Sequence, residues 1–396
     1  MNYLTGGCNP PIPIPESYPN NIVQGQGPYV IDDSGRKFID MWMGYGALLF
    51  GHADKDIVQT VTDSIKNGWF FSYQTKIEKD FSVILHKLIP CAESVRFATT
   101  GSDAVAYAIR AARAYTSKTQ VLSIIGGYHG VHEGMIPSEG TAYQNKPNLV
   151  HFNDIEEARA ALSTKKYACM LLEPIMANSG CTPPSENYLS ELRKVCDTTG
   201  SLLIFDEVVT GFRIGLGGAQ KKYNVIPDLS TFSKAIASGF PLSIVCGKRA
   251  IMKNFIPTGN VFFAGTFNAH SLSLAVANRV IKKLRNGQVH AQITALGNRL
   301  RSFISKTIEE YNLNACVQGV DSMFTIAFGC KSFIQGIINE KFDKRIYDIF
   351  IKKMADRNVL FPPLPTETIF LSPVHEEVID EIERTLKMTL SEMKDP

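Results

Sequence analysis

The sequence predicts an α/β fold: a large domain on a mostly parallel sheet covered by helices, with a smaller α+β domain beside it. Three observations carry this. Between about Asp54 and Leu284, short apolar runs ("VLSIIGG", "YACMLLEP", "SLLIFDEV" and the "SIVCG" after Pro241) alternate with stretches of helical periodicity, the pattern of strands sandwiched by helices. The 396 residues exceed one small core and fit about two domains. Past about Asn286 the chain becomes helix-rich and more polar.

The first stretch is Pro-rich and irregular to about Asn21, after which "GPYVIDDSGRKFIDMW" reads as two short strands joined at Asp33-Ser34-Gly35. In "RFATTGSDAVAYAIRAARAY", Val105, Ala108, Ile109 and Ala112 form an apolar stripe, and Thr100 with Asp103 has capping-box spacing, so a helix starts at about Gly101. In "PPSENYLSELRKVCDTTG", Leu189, Leu192, Val195 and Cys196 repeat the stripe and Gly200 ends it before a strand at Leu202. The C-terminal part holds a strand pair around "SMFTIAFG" and a terminal amphipathic helix, "HEEVIDEIERTLKMTL". The expected division is 1–53 joining the small domain, 54–285 as the large domain and 286–396 as the small C-terminal domain.

Composition excludes several function classes. The net charge of +3 and the lack of a dense basic block argue against nucleic acid; the nearest, "GKRAIMK" from Gly247 to Lys253, reads as a solvated helix start. Eight cysteines are scattered without a Cys-x-x-Cys pair, so neither a zinc knuckle nor a redox motif is spelled out. The N-terminus has no basic region followed by an apolar stretch, and no run reaches the ~18 apolar residues of a membrane span. A reducing cytoplasm is expected.

The chemistry starts from "STFSKAIASGFP", where Lys234 stands in a run of small, uncharged residues. An ammonium without a nearby carboxylate is costly to bury, so this lysine either reaches solvent or carries chemistry. Ligands of open α/β sheets gather at the carboxyl ends of strands, and there three further features fall. "LLIFDEVV" ends an apolar strand on Asp206 and Glu207, which is unusual unless one of them meets a cation. "TTGSDA" puts Gly101 and Ser102 at a free helix N-terminus, an anion site. "GGYHGVHEG" offers the ring of Tyr128 among glycines; its His129, His132 and Glu133 lack the order and helix of a metal motif, so no metal is expected. A phosphate cradle, an aromatic face, a strand-end acid and an isolated lysine are the four requirements of pyridoxal 5′-phosphate. Lys234 would carry the Schiff base and then serve as general base.

With these residues on the page, the sequence resembles the class III aminotransferases of the fold-type-I pyridoxal-phosphate superfamily. Within that class "EPIMANSGCTPP", "LLIFDEVVTGFRIGLGGAQKKYNVIPDLSTFSK" and "FFAGTFNAHSLSLAVA" are most similar to the glutamate-1-semialdehyde 2,1-aminomutases. The resemblance implies a seven-stranded, mostly parallel sheet and a homodimer with active sites at the interface. It also implies Lys234 as the Schiff-base lysine, Asp206 as partner of the pyridine nitrogen, and Tyr128 and Val208 on the two ring faces. Gly101 and Ser102 would hold the phosphate, Thr266 would reach the phosphate of the neighbouring subunit, and Asn178 and Glu173 would lie near the phenolic side. Tyr45 and His129 fall in the implied substrate pocket.

The departures bear on substrate. Pro13 stands where the aminomutases place an arginine for the substrate carboxylate, and the segment from His129 to Cys169, which includes their lid, is short. The expectation is therefore an aminotransferase working between a small amine donor such as L-glutamate and a carbonyl acceptor, hydroxylated or sugar-like. An intramolecular aminomutase is the alternative, and a non-catalytic protein retaining the fold is a third.

Overall fold

In the computed structural model, which describes residues 14–132, 147–332 and 342–393, the chain opens with an antiparallel meander. Its strands are β1 (Ile22–Gln26), β2 (Tyr29–Asp32) and β3 (Lys37–Asp40). The β2–β3 turn falls at Asp33-Ser34-Gly35 because Asp32 Oδ1 accepts from Ser34 N, Ser34 Oγ and Arg36 N, an aspartate-built turn. Helices α1 (Lys55–Ile65) and α2 (Lys76–Leu88) follow, each capped by a side chain: Asp54 accepts from Ile57 N and Thr75 from Glu78 N.

The central sheet then forms from β4 (Ser94–Ala98), β5 (Gln120–Ile124), β6 (Asn148–Val150), β7 (Tyr167–Leu172), β8 (Leu202–Glu207), β9 (Leu229–Phe232) and β10 (Ser243–Gly247). Between them run α3 (Gly101–Thr116), α4 (Ile155–Ser163), α5 (Tyr188–Thr199) and the short α6 (Gly218–Lys222). The order is β4-β10-β9-β8-β7-β5-β6, and β7 and β8 are buried at every residue. Both helices argued from the sequence begin and end as expected. The Thr100/Asp103 capping box is formed at α3, and Gly200 caps α5.

One strand supplies the antiparallel part of this mostly parallel sheet. The "SIVCG" run, β10, lies antiparallel to β9 and β4, whereas β9, β8, β7, β5 and β6 are parallel. The link from Phe232 to Ser243 is too short to cross back over the sheet, so the chain reverses and pairs alongside.

Helices α7 (Arg249–Met252), α8 (Ser271–Leu284) and α9 (Gln288–Glu310) lead to β11 (Ala315–Val320), β12 (Met323–Phe328), α10 (Lys344–Asp356), β13 (Val359–Leu360), β14 (Ile369–Phe370) and α11 (Ile379–Ser391). Strand β13 pairs in parallel with β3, and Phe38, Ile39 and Met41 share a core with Leu300, Phe350 and Leu386, so the two ends of the chain pack as one layer. The terminal helix starts later than its amphipathic pattern: Pro373–Val378 form a 3₁₀ turn first, with Ser372 N donating to His375 Nδ1.

His375 is wholly buried, with Nε2 against Asp40 O, and burial lowers its pKa below the usual 6.5. A histidine held neutral in the fold contributes stability that is complete above its unfolded pKa and is lost as pH falls toward the folded value. Urea midpoints recorded across pH should therefore fall as the pH drops below about 6.5. The His375→Gln variant should lose that part of the slope.

Candidate active site

The carboxyl ends of β4, β5, β7, β8 and β9 surround a cavity of about 310 Å³ lined by Gly101, Ser102, Tyr128, His129, Glu173, Asn178, Asp206, Val208 and Lys234 among others. At the end of β8, successive side chains point to opposite faces, which separates the two adjacent acids. Asp206 faces the cavity side. Its Oδ2 lies 2.8 Å from His129 Nδ1, and its Oδ1 accepts from Val208 N and Thr231 Oγ1, each at 3.1 Å. Glu207 faces away and is ringed by donors from Thr210, Ala219 and Gln220. Among the described residues neither contacts a lysine or arginine, and histidine, hydroxyl and amide groups are their partners.

Glu173, just past β7, joins two loops. Its Oε1 accepts from Tyr128 N at 3.1 Å, and its Oε2 accepts from Ala177 N at 3.2 Å and Asn178 Nδ2 at 3.3 Å. Burial, chiefly, pushes its carboxyl up to about 7. The Tyr128 ring remains half exposed toward the opening, whereas the adjacent His129 is buried and its ring is committed to Asp206. His129 thus lines the cavity and supports the acid.

The α3 N-terminus forms one wall. The Val208 side chain stands 3.1 Å from where a Gly101 Cβ would be. Gly130, at φ +92°, brings its backbone so close to Ser102 that a Cβ would fall 2.2 Å from Ser102 Oγ, while Val131 N donates to that oxygen at 3.1 Å. Only a residue without a side chain fits both that dihedral and that gap.

Lys234 follows β9 and Ser233, whose hydroxyl donates to Leu242 O at 2.8 Å. It sits in the left-handed region with φ of 48°, a conformation costing about 1–3 kcal/mol for such a residue and concentrated at functional sites. Ala235, Ile236 and Ala237 are buried behind it. Burial lowers the pKa of its amine below the ordinary lysine value, and the charges of Glu173, Asp206 and Glu367 oppose that shift.

Two residues assigned by the resemblance do not line this cavity. Thr266 lies exposed on a loop whose neighbours Phe262 and Phe267 are exposed too, and Thr99 Oγ1 contacts Asn268 of that loop at 3.2 Å. Tyr45 packs against Trp42 with ring centroids 4.2 Å apart and planes tilted by 56°. Pro13 and Glu133, and much of the segment compared with the lid, lie outside the described residues.

Sequence reasoning missed Glu367, Trp42 and the role of Arg213. Glu367 is mostly buried, is pushed up to about 7 by burial, is opposed by Lys234 and a hydrogen bond from Trp42, and has an Oε2 with no partner. Arg213 is wholly buried and spends its fork on Leu371 O at 3.0 Å and Gly46 O at 2.8 Å. Among the described residues no group of three or more His, Cys, Asp or Glu could hold a metal.

This donor set fits pyridoxal 5′-phosphate: a helix N-terminus with a glycine approach for phosphate, a ring face, a buried acid for a pyridine nitrogen and a lysine with its pKa lowered. The comparisons agree. A profile of the class-III aminotransferases matches residues 14–374, and the chain belongs to that family. Its cofactor is pyridoxal 5′-phosphate. The chain is 34% identical over 98% of its length, and 94% of the other, to a glutamate-1-semialdehyde 2,1-aminomutase of Methanothrix thermoacetophila. It is 32% identical to that of Archaeoglobus fulgidus over 98% of this chain and 96% of the other. Among solved structures it is similar to an omega-transaminase from Sphaerobacter thermophilus, with a TM-score of 0.91 and 25% identity over 99% of this chain and 95% of that one.

Gly130→Ala should force the loop off the α3 N-terminus. The expected result is cofactor affinity reduced by about tenfold or more, read by fluorescence titration of the apoenzyme, with the circular-dichroism spectrum unchanged.

Proposed function

We propose that this chain is an aminotransferase. It takes an amino group from a small donor, L-glutamate first among the candidates, and delivers it to a carbonyl acceptor of hydroxylated or sugar-like character. One observation carries the acceptor class. Among the described residues Lys234 is the one Lys or Arg lining the cavity, while nearby Glu367 offers an unengaged carboxylate oxygen. Such a wall accepts hydrogen bonds from hydroxyl or ammonium groups and lacks a bidentate clamp for a carboxylate.

The bound cofactor supplies an electron sink for the carbanion formed when the substrate loses its proton. The chain's residues have the following roles in this reading. Gly101 and Ser102 bind the phosphate, Tyr128 and Val208 cover the ring faces, and Asp206, oriented by His129, holds the proton on the pyridine nitrogen. Glu173 and Asn178 border the phenolic side. Lys234 would hold the cofactor covalently and, as general base, would move the substrate proton; burial shifts its amine toward the neutral form that this task needs. In a homodimer the partner subunit's Thr266 would complete the phosphate site, a reading supported by the exposed Phe70, Phe71, Tyr73, Phe262 and Phe267. Residues 1–53 and 286–396 are proposed as one small domain beside 54–285. The seven free cysteines among the described residues fit a cytoplasmic setting.

A second reading, an intramolecular aminomutase, is favoured by the names of the archaeal relatives at 34% and 32% identity. The visible spectrum of the cofactor-loaded protein separates the two. Adding L-glutamate alone should move the cofactor's band to that of the pyridoxamine form with 2-oxoglutarate released, and Lys234→Ala should abolish this. An unmoved band would favour the mutase or a different amine.

Glu367 also bears on the pH profile. Its charge raises the pKa of Lys234, so Glu367→Gln should move the acidic limb of the half-reaction rate to lower pH. Stopped-flow rates across pH will show the direction.

A further inference from the structure

Outside the active site, we propose that Cys316 and Cys330 form a reversible dithiol–disulfide couple that exchanges with small disulfides of the glutathione class. This inference does not depend on the amino-transfer reading.

Their Sγ atoms lie 3.5 Å apart, in van der Waals contact, and both residues are partly exposed. The other described cysteines are buried, including Cys91 and Cys246, whose Sγ atoms are 3.9 Å apart but beyond the reach of an oxidant. The pair arises from the β11–β12 hairpin. Cys316 pairs with Ala327 across the ladder, Gly329 N donates to Asn314 O at 2.8 Å, and the chain then turns at Gly329, φ 88°, so that Cys330 returns toward Cys316. Strand β11 is an edge of its sheet, so the sulfur atoms can close the remaining ~1.5 Å to bonding distance with small adjustments. Beside them is a surface cavity of about 400 Å³ lined by Cys316, Lys331, Ser305 and Asn312, room for a tripeptide disulfide to approach.

The exchange balances. The thiolate of Cys330 attacks one sulfur of oxidised glutathione and expels one glutathione thiolate. The thiolate of Cys316 then attacks the Cys330 sulfur and expels the second. Two protein thiols are oxidised, one glutathione disulfide is reduced, and the two thiol protons end on the leaving thiolates. Burial and the contact with Cys330 hold the Cys316 thiol up, so closure is faster as pH rises. Gln318, two residues on along β11, donates to Gly180 O and Thr182 Oγ1 in the turn that carries Asn178. The couple thus sits on the strand that braces one side of the cofactor site.

The test is peptide mapping of the cofactor-loaded full chain after incubation with oxidised glutathione in mildly alkaline buffer and blocking of free thiols. The expected result is a Cys316–Cys330 linked peptide with loss of two titratable thiols, reversed by dithiothreitol. In Cys316→Ser, one glutathione should remain trapped on Cys330. Wild-type chains that keep both cysteines free, carry two separate adducts, or link either one elsewhere overturn the proposal, and that arm stands even if the variant fails to fold.

Discussion

Two buried acids at the ends of neighbouring strands govern the site. Glu173 and Asp206 lie at 3% and 4% exposure, where an unanswered carboxylate would cost several kcal/mol. The donors that answer them come from elsewhere in the chain: Tyr128 N and His129 from the loop after β5, Ala177 N and Asn178 from the turn after β7, and Thr231 from β9. Satisfying the acids therefore fixes two loops against a neighbouring strand at once. The ring of Tyr128, the amide of Asn178 and the carboxylate of Asp206 face one cavity because the same hydrogen bonds position them.

That arrangement also sets the charge around Lys234. Burial favours the neutral amine, and three carboxylates favour the ammonium; burial is the larger effect, so the balance falls below the ordinary lysine value. A lysine fully answered by acids would stay charged and be a poor nucleophile. A lysine with no acid near it would lose the field that steers an ammonium substrate into the cavity. The left-handed backbone at Lys234 belongs to the same compromise: strain is tolerated because Ser233, Leu242 and the buried alanines hold the turn on either side.

Where the signal was local, the sequence was readable. The capping box of α3, the Gly200 stop of α5, the acid ending an apolar strand and the lysine among small residues all depend on neighbours a few positions away, and the structure places all of them where the pattern pointed. Strands β4, β6 and β9 are 3–5 residues long and carry too few positions to show a period. Glu367 and Trp42 were not readable because each is ordinary in its own segment. They meet only through long-range pairing, β3 with β13 and Phe370 N with Met41 O. His129 lines the cavity beside Tyr128, but its contact with Asp206 joins segments 77 residues apart and leaves no mark in its own stretch of sequence. Cys316 and Cys330 carry no short motif and are joined by a hairpin.

Arg213 shows why the structural and chemical parts cannot be separated. Its guanidinium has no acid in contact, only two carbonyl oxygens and the Phe370 ring at 5.1 Å, and burial brings its pKa to about 9. A buried cation so weakly compensated is costly unless the fork geometry is satisfied. Those two carbonyls belong to Gly46, beside the Trp42–Tyr45 wall, and to Leu371, just past Glu367. The arginine therefore staples the Gly46 segment to the Leu371 segment. Its positive charge also lowers the pKa of Lys234, in the same direction as burial. A lysine in its place would keep the charge but could not span both carbonyls, whereas a neutral residue would lose both the span and its push on Lys234. Position 213 is thus constrained twice, once by the two carbonyls it joins and once by its charge on the Lys234 amine.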